Sequence, residues 1–129
     1  MIPQDQVFES MAQAILASDD AIKNHPDVVR GVVQATLQGM RDIIQDPHAA
    51  AATFAKAVPA YAGKEAELER TFKLYVDNVY AHQAVLGQID AGRLDKVRQF
   101  YVSEGIVSKE PKLDDLYTNQ FIDTTTAAK

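Results

Sequence analysis

Residues 24–50 read NHPDVVRGVVQATLQGMRDIIQDPHAA, and their pattern decides the fold. Pro26 stands where a first helical residue is expected, because its φ is preset and a first-turn N–H would have no helical partner. Asp27 follows in the first turn, where the helix dipole favours a carboxylate. Apolar or weakly polar residues then recur at helical spacing and predict a long amphipathic helix: Val29, Val32, Val33, Thr36, Leu37, Met40, Ile43 and Ile44.

A second helix is predicted directly after the first. Asp46 can cap its N-terminus, and Pro47 occupies the first helical position. The predicted helix, residues 47–57, is rich in alanine and must pack closely on a neighbour, because alanine side chains bury little area. Gly39, in the middle of the first helix, is interpreted as a site of close helix contact.

The rest of the chain predicts further helices. A third helix runs from about Lys64 to Val85, and Gly87 suits the position that closes it. A fourth begins at a cap on Asp90 and ends near Gly105. After Pro111 a short helical segment holds Leu113, Leu116, Tyr117 and Phe121. The expected inward-facing residues are Leu68, Phe72, Tyr75, Val76 and Val79 in the third helix, and Leu94, Val97 and Tyr101 in the fourth.

The segment Gln6–Ser18 allows two interpretations. Phe8, Met11, Ala12, Ile15 and Leu16 follow the spacing of one helix face. The residues from Ala12 to Ser18 also fit a short buried strand, because a short apolar run does not settle the period. Local propensity favours the helix.

Length and composition fit one globular domain over residues 1–129. The chain has 47% hydrophobic and 24% charged residues, with a formal net charge of −5. This acidic balance argues against a nucleic-acid partner, which needs a basic surface. No apolar run approaches the roughly 20 residues of a membrane span, so no membrane insertion is expected. The N-terminal residues lack the basic and apolar regions of an export signal.

No pattern indicates a catalytic or metal site. The chain has no cysteine, and His25, His48 and His82 do not show metal-ligand spacing. Asp19-Asp20 and Asp114-Asp115 are adjacent pairs whose side chains point apart on a helix. Phosphate-binding loops and serine nucleophile motifs do not occur. We therefore expect no catalytic residue, no metal ligand and no cofactor. Several aromatic residues could line a ligand pocket but are more typical of a core: Phe72, Tyr75, Tyr80, Phe100, Tyr101, Tyr117 and Phe121.

Four pieces of sequence carry a resemblance to a known family. They are ILASDDAIKNHPDVVRGVVQATLQGMRDIIQDPHAAA at residues 15–51, LGQIDAGRLDKV at 86–97, YVSEGIVSKEP at 101–111 and DLYTNQF at 115–121. In this order they resemble the C-terminal portion of the ABC-transporter substrate-binding proteins for nitrate, sulfonates and thiamine-pyrimidine precursors. The resemblance covers roughly Gln6 to Phe121.

The resemblance implies a fold and a function. Such proteins have two α/β lobes, bind a small solute in the cleft between them and pass it to a membrane permease. The chain then corresponds to a mainly α, bundle-like fragment of a type II periplasmic binding protein, without the N-terminal lobe and the leader peptide. A periplasmic location is implied. If Met1 is the native start, a cytoplasmic location is expected instead.

The family strand that corresponds to Ala12–Ser18 lies near the hinge and pairs with partners that this chain lacks. We expect the segment to become a helix or to pair with a second copy, and the exposed apolar surface of such a fragment to drive homo-oligomer formation. Residual ligand contacts are expected at the hinge-proximal residues Phe8, Glu9 and Gln13.

Two other functions are considered. The same fold family includes the thiamine-pyrimidine synthase, whose chemistry is linked with a cysteine-rich motif and iron, and the lack of cysteine argues against this enzyme. The other alternative is a stand-alone helical interaction or dimerisation module that binds no ligand.

Overall fold

A computed structural model describes residues 13–80 and 83–123 of the chain. Its fold is mainly helical, as predicted, and no sheet forms within these two ranges. The helices are α1 (Asp19–Asn24), α2 (Pro26–Gln45), α3 (Pro47–Ala57), α4 (Glu65–Tyr75) and α5 (Ala91–Ser103), with 3-10 turns at Pro59–Tyr61 and Leu113–Asp115.

The described residues fall into two compact units. The first unit holds residues 13–19 and 89–120, and the second holds residues 20–80, 83–88 and 121–123. The first therefore contains α5, and the second contains α2, α3 and α4. The expected single domain over residues 1–129 stays a prediction.

Helix α2 supplies one wall of the larger core of the second unit. It begins at Pro26 and continues without a break to Gln45. Val33 and Leu37 on this helix are buried and pack with Leu86 and Phe121. Partly buried apolar residues surround this core: Ile22, Val29, Met40, Ile44, Tyr80 and Ile122.

Helices α3 and α4 form a second, smaller core. The Asp46 carboxylate accepts a hydrogen bond of 3.0 Å from the Ala49 N–H, which confirms the predicted cap of α3. Ala51 and Ala55 are buried and pack against Leu68 of α4. Their small side chains allow the two helices to approach closely, as the alanine-rich sequence predicted.

Part of the predicted stripe on α2 is not buried. Val32 is 54% exposed, and Val28 beside it is 66% exposed. A Cβ built on Gly39 would meet no atom within 4 Å, so the close helix contact predicted there does not form within the described chain. The core therefore uses only the side of α2 that carries Val33 and Leu37.

The third helix is shorter than predicted. Helix α4 ends at Tyr75, a π-helical segment follows at Val76–Tyr80, and residues 83–85 are not helical. The wider π turn changes the direction of the side chains that follow. As a result Val79, predicted to be buried, is 44% exposed, while Tyr80 packs against the larger core. Tyr75, also predicted to be buried, ends α4 before this turn and is 41% exposed.

The first unit is organised around α5. The Asp90 carboxylate accepts a hydrogen bond of 2.8 Å from the Arg93 N–H and confirms the predicted cap. Asn119 holds Ile89 through two hydrogen bonds of 3.0 Å, one to the backbone C=O and one from the backbone N–H. Tyr101, predicted to face inward, is 43% exposed, because the described part of this unit contains no further helix of comparable length to cover it.

Residues 13–18 adopt neither of the two predicted structures. They form neither helix nor strand, and Leu16 is 92% exposed. A short apolar segment needs tertiary packing to hold regular structure, and here none of its side chains is buried. The remainder of Gln6–Ser18 lies outside the described residues.

Candidate functional site

The structure tests little of the predicted ligand-binding segment. Phe8 and Glu9 lie outside the described residues. Gln13 is exposed, in the stretch without regular structure. The ligand contacts predicted at Phe8, Glu9 and Gln13 therefore stay a prediction.

The second unit has an open cleft between α2, α3 and α4, with a volume of about 650 Å³. This volume lies within the roughly 300–1,000 Å³ that is usual for small-molecule sites. The cleft exists because the residues that line it on α2 and α3 are mostly small or short and leave space between the helices. Its lining residues are Gly39, Asp42, Ile43, Gln45, Asp46, Ala49, Ala50, Thr53, Phe54, Ala57 and Phe72.

The aromatic wall of the cleft is built from two helices. The Phe54 ring of α3 meets the Phe72 ring of α4 edge to face, with ring centroids 6.0 Å apart. Phe54 also contacts Tyr61 edge to face, at 5.3 Å between centroids. Edge-to-face contacts of this kind fix ring orientation as well as burying apolar area. The wall is therefore a preformed apolar surface.

The charges of the cleft are all negative. Asp42 and Asp46 lie one helical turn apart at the C-terminal end of α2, and no basic residue lines the cleft. Asp42 accepts a hydrogen bond from the Gln38 side chain, and Asp46 caps α3. In the part of the chain that the structure describes, neither carboxylate forms a salt bridge. Asp46 is also balanced by the partial positive charge at the N-terminus of α3, so Asp42 is the carboxylate of the cleft that no helix N-terminus offsets.

A separate charged group links α3 and α4. Glu69 accepts from His48 Nδ1 through Oε2 at 2.8 Å and forms a salt bridge with Lys73 through Oε1. The hydrogen bond and charge of Glu69 raise the pKa of His48. Lys73 first, and His48 second, lower the pKa of Glu69. His48 is 78% exposed, and the arrangement holds no nucleophile, so it is a surface ion-pair network.

Two further structural findings bear on function. Among the described residues, no group of three or more His, Asp or Glu side chains could hold a metal ion. In the same ranges, no helix is long and apolar enough to span a membrane.

Sequence reasoning did not identify the cleft. Phe54 is absent from the aromatic residues predicted as possible pocket lining. Phe72, predicted as core, packs against the smaller core and also lines the cleft. The sequence signal nearest to the cleft is Gly39, which was predicted to be a close helix contact and instead borders open space.

Comparisons with known proteins agree with the family resemblance. Residues 2–50 match the sequence profile of the family described as "NMT1/THI5 like". The chain is 25% identical over 120 residues to the riboflavin-binding protein RibY of Chloroflexus aurantiacus. That alignment covers 90% of this chain and 34% of RibY, so the chain spans about a third of the length of the curated relative that it matches. No solved structure matches the chain. These similarities support a relationship with solute-binding proteins.

Proposed function

We propose that the chain is the solute-binding component, or part of the solute-binding component, of an ABC-type uptake system for a small molecule. The observation that carries this proposal is the similarity to RibY along 90% of the chain. The family match at residues 2–50 covers the same segment in which the ordered sequence resemblance begins, which supports the proposal from a second direction.

The proposed solute is a small heteroaromatic or anionic molecule. The family resemblance points to a thiamine-pyrimidine precursor, a sulfonate or nitrate, and the name of RibY adds riboflavin. The proposed contacts are Phe8, Glu9 and Gln13. An aromatic ring, a carboxylate and an amide within six residues offer the stacking surface and hydrogen-bonding groups that orient a polar ring.

Titration calorimetry with riboflavin, a hydroxymethylpyrimidine, taurine and nitrate tests the proposal. We expect one of these solutes to bind and to raise the thermal midpoint, because a ligand that binds only the folded state stabilises it. No heat and no thermal shift with any of the four would contradict the proposal and favour a stand-alone helical interaction module.

The proposed contacts are tested with the solute that binds. Gln13→Ala, Phe8→Ala and Glu9→Ala should each weaken binding by about tenfold, which corresponds to ~1.4 kcal/mol. Gln88→Ala is the matched control, because Gln88 is also exposed and lies outside the proposed segment. Unchanged affinity in all three variants would place the solute elsewhere on the chain.

The remaining parts of the proposal concern partners and location. An ABC permease is the proposed recipient of the solute, and the periplasm is the proposed compartment. We also propose that the chain associates with a second copy of itself. The support for association is its exposed apolar surface, which includes Val28, Val32, Leu74 and Ile106.

A further inference from the structure

The described part of the first unit holds its structure without a buried apolar core. Every buried apolar residue of the described chain belongs to the second unit. In the first unit, Phe100 and Tyr101 of α5, and Ile106 and Leu116 beyond it, are between 41% and 63% exposed. Apolar burial is the main favourable term in folding, so this unit depends more than the second one on polar contacts.

Residues 104–118 leave the C-terminal end of α5 and return to the start of the helix, and we call this segment the strap. At its beginning the Ile106 N–H donates to the Tyr101 C=O of α5 at 3.0 Å. Just after its end, the Asn119 side chain donates to the Ile89 C=O and accepts from the Ile89 N–H, next to the N-cap of α5. The strap is therefore attached at both ends of the helix, which is about 20 Å long at 1.5 Å per residue.

Arg98 attaches the middle of the strap to the middle of α5. Its guanidinium donates to the Glu110 carboxylate and, at 3.2 Å, to the Pro111 C=O. Asp95, one turn earlier on α5, accepts from Arg98 Nε at 2.7 Å and so orients the guanidinium. Only 16% of the Arg98 side chain is exposed, so these charge-assisted hydrogen bonds are screened less than contacts on the open surface.

We propose that α5 and the strap open and close as one unit while the second unit stays folded, and that Arg98 is the latch that keeps them closed. A region with few buried apolar contacts opens at a lower free energy than a region built on a core. Loss of the Arg98 contacts releases the strap between its two attached ends, and a helix of 13 residues is marginally stable by itself. Helix and strap therefore lose their structure together. The proposal does not rest on the proposed function.

Hydrogen exchange of the full chain, at urea concentrations that do not unfold it, tests whether the two units open separately. Amides of α5 should exchange at least about 100-fold faster than the central amides of α2, because α2 carries buried core residues. Their exchange should also depend less on urea, since opening of the first unit exposes less surface than unfolding of the whole chain. Equal rates and equal urea dependence in the two helices would overturn the proposal.

Arg98→Met tests the latch. The variant loses the charge-assisted hydrogen bonds, so exchange in α5 and the strap should rise at least about tenfold, while exchange in α2 stays unchanged. Gln99→Met is the matched control, because Gln99 is the next residue of α5 and its described hydrogen bond, to Asp95 at 2.7 Å, stays within the helix. An equal rise in Gln99→Met, or no rise in Arg98→Met, would overturn the role of Arg98.

Glu110→Gln keeps the test decisive if the first unit of Arg98→Met does not fold. Glutamine has nearly the same shape as glutamate and can still accept a hydrogen bond, but it carries no charge. Exchange in α5 and the strap should rise about threefold, with α2 unchanged. Asp114→Asn removes a charge from an exposed residue of the same strap and should leave all rates unchanged. Exchange in Glu110→Gln that equals that of the unmodified chain would contradict the latch.

Discussion

Gly87 is the residue whose identity the fold constrains most directly. Its φ of +78° lies in the left-handed region, and a Cβ there would overlap Leu37 Cδ2 in the larger core. Gly87→Ala should lower the free energy of unfolding by about 2–3 kcal/mol, through backbone strain of about 1–2 kcal/mol and displacement of Leu37. Urea unfolding followed by circular dichroism measures this loss.

Gly63→Ala is the control for the backbone part of that effect. Gly63 has nearly the same φ, +77°, but open space around the position of its Cβ. The Gly63→Ala variant should therefore lose only about 1 kcal/mol of its free energy of unfolding. If the two variants lose the same amount, the contact with Leu37 contributes nothing.

The pair of His48 and Glu69 makes the link between α3 and α4 dependent on pH. Glu69 raises the pKa of His48 above 6.5, so the stabilisation is present below that value and is lost as pH rises through the higher pKa of the folded state. Lys73 and His48 lower the pKa of Glu69 below 4.5, so its contribution is present above 4.5 and is lost as pH falls through the lower pKa. The link is fully formed between these two reference values.

The thermal midpoint should show this dependence. The unmodified chain should melt above His48→Gln near pH about 5.5, and the difference should shrink toward pH about 8, because the histidine loses its charge. The effect is small since His48 is largely exposed. A difference that stays constant across this range would show that the charge of His48 does not contribute.

For single residues, the sequence predicted Asp46 as a helix cap but did not predict that His48 contacts Glu69. A cap contacts backbone groups within three residues, so the sequence around it contains the information. His48 and Glu69 are 21 residues apart, and only the packing of α3 on α4 brings them together.

Helix α3 is stabilised by its N-cap residue, Asp46. Asp46→Ala removes the hydrogen bond from the Ala49 N–H and should lower the free energy of unfolding by about 1 kcal/mol. His25→Ala is the control, because His25 stands at the N-cap of α2 without a side-chain cap hydrogen bond and should change stability little. Both values come from urea unfolding. Equal losses would mean that the Asp46 cap contributes nothing specific.

The starts of helices were predictable, and one of the ends was not. Pro26, Pro47 and Asp90 set the starts of α2, α3 and α5 through local chemistry, and the structure places them as predicted. The end of α4 depends on the π-helical segment at Val76–Tyr80, which lets Tyr80 reach the larger core. That core includes residues distant in sequence, so the helical spacing of residues 64–85 could not reveal the end.

At the scale of the whole molecule, the sequence predicted the helical class and the relationship with solute-binding proteins, but not the cleft. The helical class follows from the periodicity of the apolar residues. The relationship with solute-binding proteins follows from several similar segments that occur in the same order. The cleft is the space that remains next to Gly39, Ala50 and Phe72 when α2, α3 and α4 pack together. A missing side chain can mark either a close contact or a gap, and the sequence alone does not distinguish the two.

Phe121 shows that the larger core needs residues from both ends of the described chain. It is buried against Val33 and Leu37, and its backbone C=O accepts a hydrogen bond of 2.8 Å from the Gln34 side chain, 87 residues away. The Arg30 guanidinium lies over its ring, 5.4 Å from the centroid. Residue 121 is therefore part of the folding unit of α2.

Phe121→Ala should accordingly lower the free energy of unfolding by about 3–5 kcal/mol, through lost burial and the cavity left behind. That loss is a large fraction of the roughly 5–15 kcal/mol that stabilises a typical domain, so the second unit should be partly unfolded at 37 °C. Leu74→Ala, in the same unit but 64% exposed, should lose less than about 1 kcal/mol. Hydrogen exchange of the α2 amides measures the difference, because these amides exchange through opening of the unit that Phe121 completes. Protection of α2 that is the same in Phe121→Ala as in Leu74→Ala would show that α2 folds without the C-terminal segment.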